Sequence, residues 1–429
     1  MKTMELSAAA PATRRRCIVY VLVFGIALIN YWDRAVLSIA IPVLTREFHL
    51  STVTAGYLLS AFVLTYAIAQ LPAGIVLDWV GTRRAGAGSL AVWSVATALT
   101  AYATGVVNLF LTRLLLGLGE SVTMPLTARA VREWAPVRER GFAQAFVHSG
   151  LPVGTAIASI VVGATVGALG WRTAFVLSGA IGLLWAVIWF AVYREPLTCR
   201  WLATPERELI LADRPAVPAN AAANPLRGLG RLLKNRTMWG LFLTQGCVNY
   251  ANYFLLSWLP SYFIHAYGIN INGSGQATGI VYFSAAILMI CFGVVSDRVT
   301  RRYRVESGKR RYVVAALALG GSVIGLTPLL SSHVAQLTVM AISTGCVLSV
   351  FANNVSLAND LLDDPRYVGT AVGWLQLGGN LFGLAAPVAT GYIVAHTGGY
   401  SAAFGVAGAL LLAGALTAIT MTRRPVSGL

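Results

Sequence analysis

The sequence predicts an all-α integral membrane protein, with twelve spanning helices in two pseudo-symmetric bundles of six. Three observations carry this. The 429 residues are 57% hydrophobic and 11% charged, where a soluble domain has about 25% charged residues. The mean hydropathy is +0.69, and twelve apolar runs are near or above the ~20 residues that a spanning helix needs. The two halves of the chain also repeat one another around a polar middle segment. The alternating pattern of a membrane barrel is missing, so the spans are helices, which satisfy their own backbone hydrogen bonds.

In chain order the runs lie at about 17–43, 54–78, 85–103, 106–129, 142–168, 172–193, 238–263, 277–297, 312–330, 334–358, 367–395 and 400–421. Residues 1–16 are a basic tail. The first run is too long for the apolar region of a signal peptide and lacks a clear small-residue cleavage site, so it reads as a retained helix. Residues 17–193 make the first bundle and 238–421 the second. Between them, 194–237 is the longest polar segment, with several prolines and an AVPANAAANP stretch. It reads as a linker, partly without fixed structure. Residues 422–429 are a short tail.

A formal net charge of +16 raises the question of nucleic acid. The distribution answers it. All Lys and Arg except Arg34, Arg46, Arg113 and Arg172 lie in the tails or in loops after even-numbered spans. That is the positive-inside pattern, which puts both termini in the cytoplasm. Five cysteines without paired spacing imply neither a disulfide framework nor a metal site. No nucleotide-binding loop appears, so no cofactor and no ATP dependence are expected.

The repeats are local. GIVLDWVGTRR (74–84) follows the second span and GVVSDRVTRR (293–302) the eighth. Asp78 with Arg83 and Arg84, and Asp297 with Arg301 and Arg302, read as paired gate loops on the cytoplasmic side. Asn30-Tyr31 precedes Pro42 as Asn249-Tyr250 precedes Pro260. Gly150 and Gly154 of the fifth span match Gly379 and Gly383 of the eleventh. Weak internal repeats mark transporters whose halves rock around a midplane site. The glycines are equally explained by close helix packing.

Four charged residues lie well inside the spans: Asp33, Arg34, Arg113 and Glu120. A charge at the bilayer centre costs roughly 3 kcal/mol on insertion scales, so their presence needs a reason. Arg113, Gly117 and Glu120 share one face of a helix, while Asp33 and Arg34 diverge by about 100°. The four sum to zero charge. The expected pairs are Asp33 with Arg113 and Arg34 with Glu120. A purely structural network is the alternative, but buried ion pairs stabilise weakly and intramembrane ionisable groups are functional candidates by default.

The duplicated loops, twelve spans and central linker resemble the major facilitator superfamily. More narrowly, NYWDRAVLSIAIP (30–42) is similar to the NYxDRxxLS segment of its anion:cation symporter family. RLLLGLGE, RERG, SWLP and the GGN…P…GY pattern of the eleventh span fit the same family. Trp79 and Thr82 depart from the superfamily's usual first loop. The resemblance implies a monomeric, proton-coupled importer of a small organic anion in a bacterial inner membrane, with sugar acids prominent among the family's substrates. It implies that Asp33 and Glu120 carry the coupling proton and that Arg34 meets the substrate anion. Tyr31, Tyr66 and Asn380 match positions lining the sugar-acid site. Leu151 stands where sugar-acid importers carry Gln, with His148 one turn earlier as its possible substitute, which points towards a less hydroxylated or aromatic carboxylate. The rival readings are a proton antiporter exporting a drug or metabolite, and an importer of an aromatic acid or a dicarboxylate. GLPVGTAIAS (150–159) lacks the Pro after the second glycine and the closing glycine pair that such exporters usually carry. An enzyme is not supported, because no nucleophile–base arrangement or metal cluster is legible.

Overall fold

The computed structural model describes residues 14–212, 233–301, 309–362 and 367–426. In these residues the chain is helical, apart from one isolated bridge between Leu362 and Val426. The first half contains α1 (Arg16–Glu47), α2 (Thr52–Val80), α3 (Thr82–Thr100), α4 (Val106–Glu120), α5 (Thr123–Trp134), α6 (Arg140–Leu169) and α7 (Trp171–Val192). A short α8 (Thr204–Ala212) follows. The second half contains α9 (Arg236–Tyr267), α10 (Ile271–Arg301), α11 (Arg310–Ser322) running into a 3₁₀ turn (Val323–Leu329), α12 (His333–Leu361), α13 (Val368–Thr397) and α14 (Ser401–Met421).

Each predicted run is a helix or helix pair, displaced by a few residues at its ends. Ten of the spans are long and apolar enough to cross a bilayer by composition alone. The other two are α3, which begins with Arg83 and Arg84, and α9, which carries Gln245, Asn249 and Asn252. The fourth span is broken between α4 and α5. Pro125 has no N–H for the carbonyl four residues back, so the ladder is interrupted just after Glu120. Helix starts are capped where a side chain is at hand: Ser51 accepts from the Thr54 N–H and Asn235 from the Thr237 N–H. The sharp reversals at Gly81 (φ 84°) and Gly170 (φ 83°) need the positive φ that glycine supplies.

The two halves press together at the end of the bundle away from the linker. A Cβ on Gly56 of α2 would sit 2.6 Å from the Pro387 carbonyl oxygen of α13. One on Gly275 of α10 would sit 2.3 Å from the Ser159 carbonyl of α6. Ser38 donates to the Ser257 carbonyl (2.8 Å) and Ser60 to the Leu384 carbonyl (2.8 Å), both across the halves. Towards the linker the same helices part: at Gly74, Gly141, Gly293 and Gly373 a Cβ would meet nothing within 4 Å. The central cavity therefore faces the linker end.

The segment expected to be wholly linker is divided. Residues 194–212 fold against the first half, and 213–232 lie outside the described residues. Trp201 stacks on Trp134 at 5.3 Å, and Cys199, Leu202 and Ile210 are buried. The buried Glu206 of α8 accepts from the backbone N–H groups of Arg15 (3.2 Å) and Arg16 (3.0 Å) and from the Arg16 guanidinium (3.0 Å). It thus caps the first helix from outside. The other face of Arg16 holds Glu139 through two bonds of 2.8 Å. The apolar residues and the acid of 199–210 drive this docking, and Pro196 and Pro205 do not prevent it.

Hydrogen bonds from Arg16, and its charge, hold the Glu139 carboxyl below the usual glutamate range, against burial acting the other way. A depressed folded value contributes stability above the unfolded value of about 4.3, lost as pH falls through the folded value. Glu139→Gln should therefore unfold at a lower temperature than the parent at pH 7, with the gap closing below about pH 4. A gap independent of pH, read by thermal unfolding in detergent, would remove the bridge as its cause.

Candidate substrate and coupling site

The site is built on α1, where Asp33 and Arg34 sit at mid-length and diverge. Arg34 points towards the axis between the halves. Its Nε and one terminal nitrogen donate to Glu120 Oε2 at 3.1 and 3.0 Å. The other terminal nitrogen donates to the Tyr253 hydroxyl of α9 at 3.1 Å. The arginine thus touches both halves of the protein. Its guanidinium carbon lies 4.9 Å from the ring centres of Tyr31 and Phe62, and 5.3 Å from that of Tyr66. Such an aromatic cage stabilises a desolvated cation. A guanidinium has five N–H donors. Three are used here, which leaves one N–H on each terminal nitrogen.

Asp33 turns the other way, into the first half. It is fully buried, with Trp93, Thr97, Glu120 and Arg113 as its polar surroundings. Neither carboxylate oxygen has a hydrogen-bond partner among the described residues. Around it the Trp93 Nε1, Thr97 Oγ1, both polar atoms of the Asn30 amide and Glu120 Oε1 are also buried without partners.

The expected Arg34–Glu120 pair forms, and the expected Asp33–Arg113 pair does not. Among the described residues no Lys or Arg nitrogen lies within 4.0 Å of Asp33. Arg113 instead donates to the Thr100 hydroxyl at 2.6 Å and lies 5.5 Å from the Phe175 ring. Thr97 neighbours Asp33, and Thr100 is three residues further along α3, a rise of ~4.5 Å. The arginine side chain is held on Thr100. Gly117, between Arg113 and Glu120 on α4, allows close approach of α2: a Cβ there would lie 2.2 Å from the Phe62 carbonyl oxygen.

The remaining candidates take distinct places. Asn380 of α13 donates to Gln70 of α2 at 3.2 Å, across the halves and one turn from Tyr66. His148 Nδ1 lies 2.9 Å from the Gln144 carbonyl of its own helix. With Tyr31, Leu151, Asn249 and Asn252, His148 lines a cavity of about 60 Å³ on the linker side of Arg34. Asn354 bonds the Leu241 carbonyl and Gln245, and Asn353 takes the Ser296 hydroxyl, so both act in helix packing. Asp78 pairs with Arg129 of its own half at 2.7 Å. Arg83 donates to the Phe190 carbonyl and lies 4.0 Å from the Phe190 ring, while Arg84 is exposed. Arg129 lies one turn before Glu133 on α5 and reaches Asp78 first. The side chains of Asp297 and Arg301, and all of Arg302, lie outside the described residues.

Sequence reasoning missed Phe62, Thr100 and Phe175, which hold the two arginines. None carries a charge or a period that separates it from other span residues.

A helical membrane bundle of two related halves, meeting at a buried charge-balanced centre, defines a secondary transporter rather than an enzyme. Residues 23–363 match the Major Facilitator Superfamily, and the chain belongs to that superfamily. It is 32% identical over 396 residues to the probable sulfoacetate transporter SauU of Cupriavidus necator, covering 91% of this chain and 90% of that one. It is 30% identical to the hexuronate transporter of Bacillus subtilis, covering 96% and 95%. It is 29% identical to the D-galactonate transporter of Escherichia coli, covering 97% and 98%. In fold it is similar to a bacterial homolog of the human lysosomal transporter Spinster, with a TM-score of 0.70, 19% identity and 96% of each chain covered.

Proposed function

We propose that the protein is a proton-coupled importer of a small organic anion, working as a monomer by alternating access in a bacterial inner membrane with both termini in the cytoplasm. The observation that carries this is the buried Arg34–Glu120 pair, with Asp33 beside it and unpartnered. The names of the relatives, transporters of hexuronate, D-galactonate and sulfoacetate, support an anionic substrate.

The mechanism follows from competition for one cation. An anion entering the cavity reaches Arg34 through its two unused N–H groups and the Tyr253 hydroxyl. It competes with Glu120, already bonded to the same guanidinium. A carboxylate whose cation is shared with a second anion in a dry site takes up a proton more readily. Substrate and proton therefore promote each other's binding, which is the requirement for symport. Because Arg34 also bonds α9, changes at the anion site reach the contact between the halves. Tyr31 and Tyr66 flank the cation, and Asn380 with Gln70 closes the adjacent wall.

The test is uptake of a labelled carboxylate into proteoliposomes, with and without an imposed pH gradient. Accumulation above equilibrium is expected when the lumen is alkaline, with counterflow alone when it is not. Accumulation driven only by an acidic lumen would favour the exporting antiporter.

A further inference from the structure

We propose that the site takes a compact monoanion with an apolar body, of the arylacetate or benzoate type, in preference to a polyhydroxy acid. This rests on reading Arg34 as the group that meets the anion.

The cavity beside the Arg34 cage has an apolar wall. Tyr31 is shared: its ring faces the guanidinium at 4.9 Å and also lines the cavity. Beyond it the walls are mainly hydrocarbon and thioether, including Met124, Leu151, Val248, Met289 and Phe351. The polar residues there are few: His148, Asn249 and Asn252, with the Tyr31 hydroxyl. His148 has Nδ1 at 2.9 Å from the Gln144 carbonyl. The Gln144 amide nitrogen lies 3.0 Å from the same atom, so Nδ1 is committed to its own helix and only Nε2 is left for a ligand. The Asn249 amide nitrogen is turned onto Gly379, 2.2 Å from where a Cβ would stand. Asn252 has its amide oxygen buried without a partner among the described residues, so its amide is the polar group most open to a ligand.

A sugar acid carries a hydroxyl on nearly every carbon. Each would exchange water for methyl, methylene or sulfur, and an unmade hydrogen bond is costly. An aryl body has no such demand, and the two methionines offer sulfur–aromatic contacts. Leu151 is the deciding position, because it puts a branched hydrocarbon in the wall beside His148 and offers a hydroxyl no partner. The charge also fits. One cation is shared with Glu120 in a four-charge set that sums to zero, which suits a single negative charge better than two.

Purified protein would be titrated by calorimetry with phenylacetate and with D-gluconate, both monoanions. Phenylacetate is expected to bind at least about tenfold more tightly, and Leu151→Gln to narrow that gap about tenfold. Phe351→Ala is expected to weaken phenylacetate more than gluconate. Gluconate binding as tightly as phenylacetate to the parent overturns the assignment, as does binding of neither probe. Gluconate preference that vanishes in Arg34→Ala would sink the substrate class while the anion-binding role of Arg34 stands. Phenylacetate affinity unchanged in a folded Arg34→Ala protein would sink that role instead.

Discussion

Arg34→Ala should abolish anion binding, and Arg34→Lys should not restore it. The guanidinium supplies the charge and two parallel N–H groups, and its other donors hold Glu120 and Tyr253. Truncating one partner of a buried, hydrogen-bonded charge pair costs about 2–5 kcal/mol, or roughly thirty- to several-thousandfold in affinity. Lysine keeps the charge but lacks the planar fork. An ammonium in this cage cannot hold Glu120, Tyr253 and a substrate carboxylate in one plane. The alanine variant also leaves Glu120 buried without its cation, so a loss of fold has to be separated from a loss of binding. The control is Arg34→Met with Glu120→Gln, which removes both charges together. Removing a pair is far better tolerated than removing one partner. Calorimetric titration and size-exclusion of all three variants decide the matter. A monodisperse Arg34→Ala protein with parental affinity would take Arg34 out of the site.

Much of the architecture was legible because bilayer physics leaves few choices. Long apolar runs must be helices, and the Lys and Arg bias sorts their ends. The Arg34–Glu120 pair was legible for a similar reason, since a buried charge needs an opposite one and few were available. The failure of Asp33 to meet Arg113 was not. Helical periodicity gives the angle of a residue around its axis, but not its height relative to a neighbouring helix. Arg113 bonds Thr100 of α3 instead, and no spacing within α1 or α4 encodes that contact. The docking of α8 was hidden differently. Its anchor is one glutamate capping a helix nearly two hundred positions away in sequence, a contact without a local signature. The gate loops show a third limit. A repeated Asp and Arg pair marks equivalent places in the two halves, yet the partner of Asp78 is Arg129, outside the repeat.

Asp33→Asn and Glu120→Gln should each abolish accumulation driven by a pH gradient, by different routes. Both amides keep the shape of the acid and cannot ionise. The unformed Asp33–Arg113 pair alters what Asp33→Asn does. Arg113 keeps its bond to Thr100 and its place by the Phe175 ring, but the substitution removes one of the two acids that balance the four-charge set. Asp33→Asn should therefore fold with lowered stability, still bind the anion and exchange labelled for unlabelled substrate, yet fail to concentrate it. Glu120→Gln removes the direct partner of Arg34. Breaking a buried pair from one side costs about 3–5 kcal/mol, so the empty variant should be clearly destabilised. The same change removes the competitor for the guanidinium. Substrate should then bind at least as tightly as in the parent and restore much of the lost stability, because a ligand specific for the folded state stabilises it by mass action. Its affinity should also lose dependence on pH in the range where the parent's varies. The measurements are uptake and counterflow in the same proteoliposomes, with thermal unfolding with and without substrate. If both variants concentrate substrate as the parent does when the lumen is alkaline, neither acid carries the proton. His148, beside the cavity on α6, would then be the next group to replace.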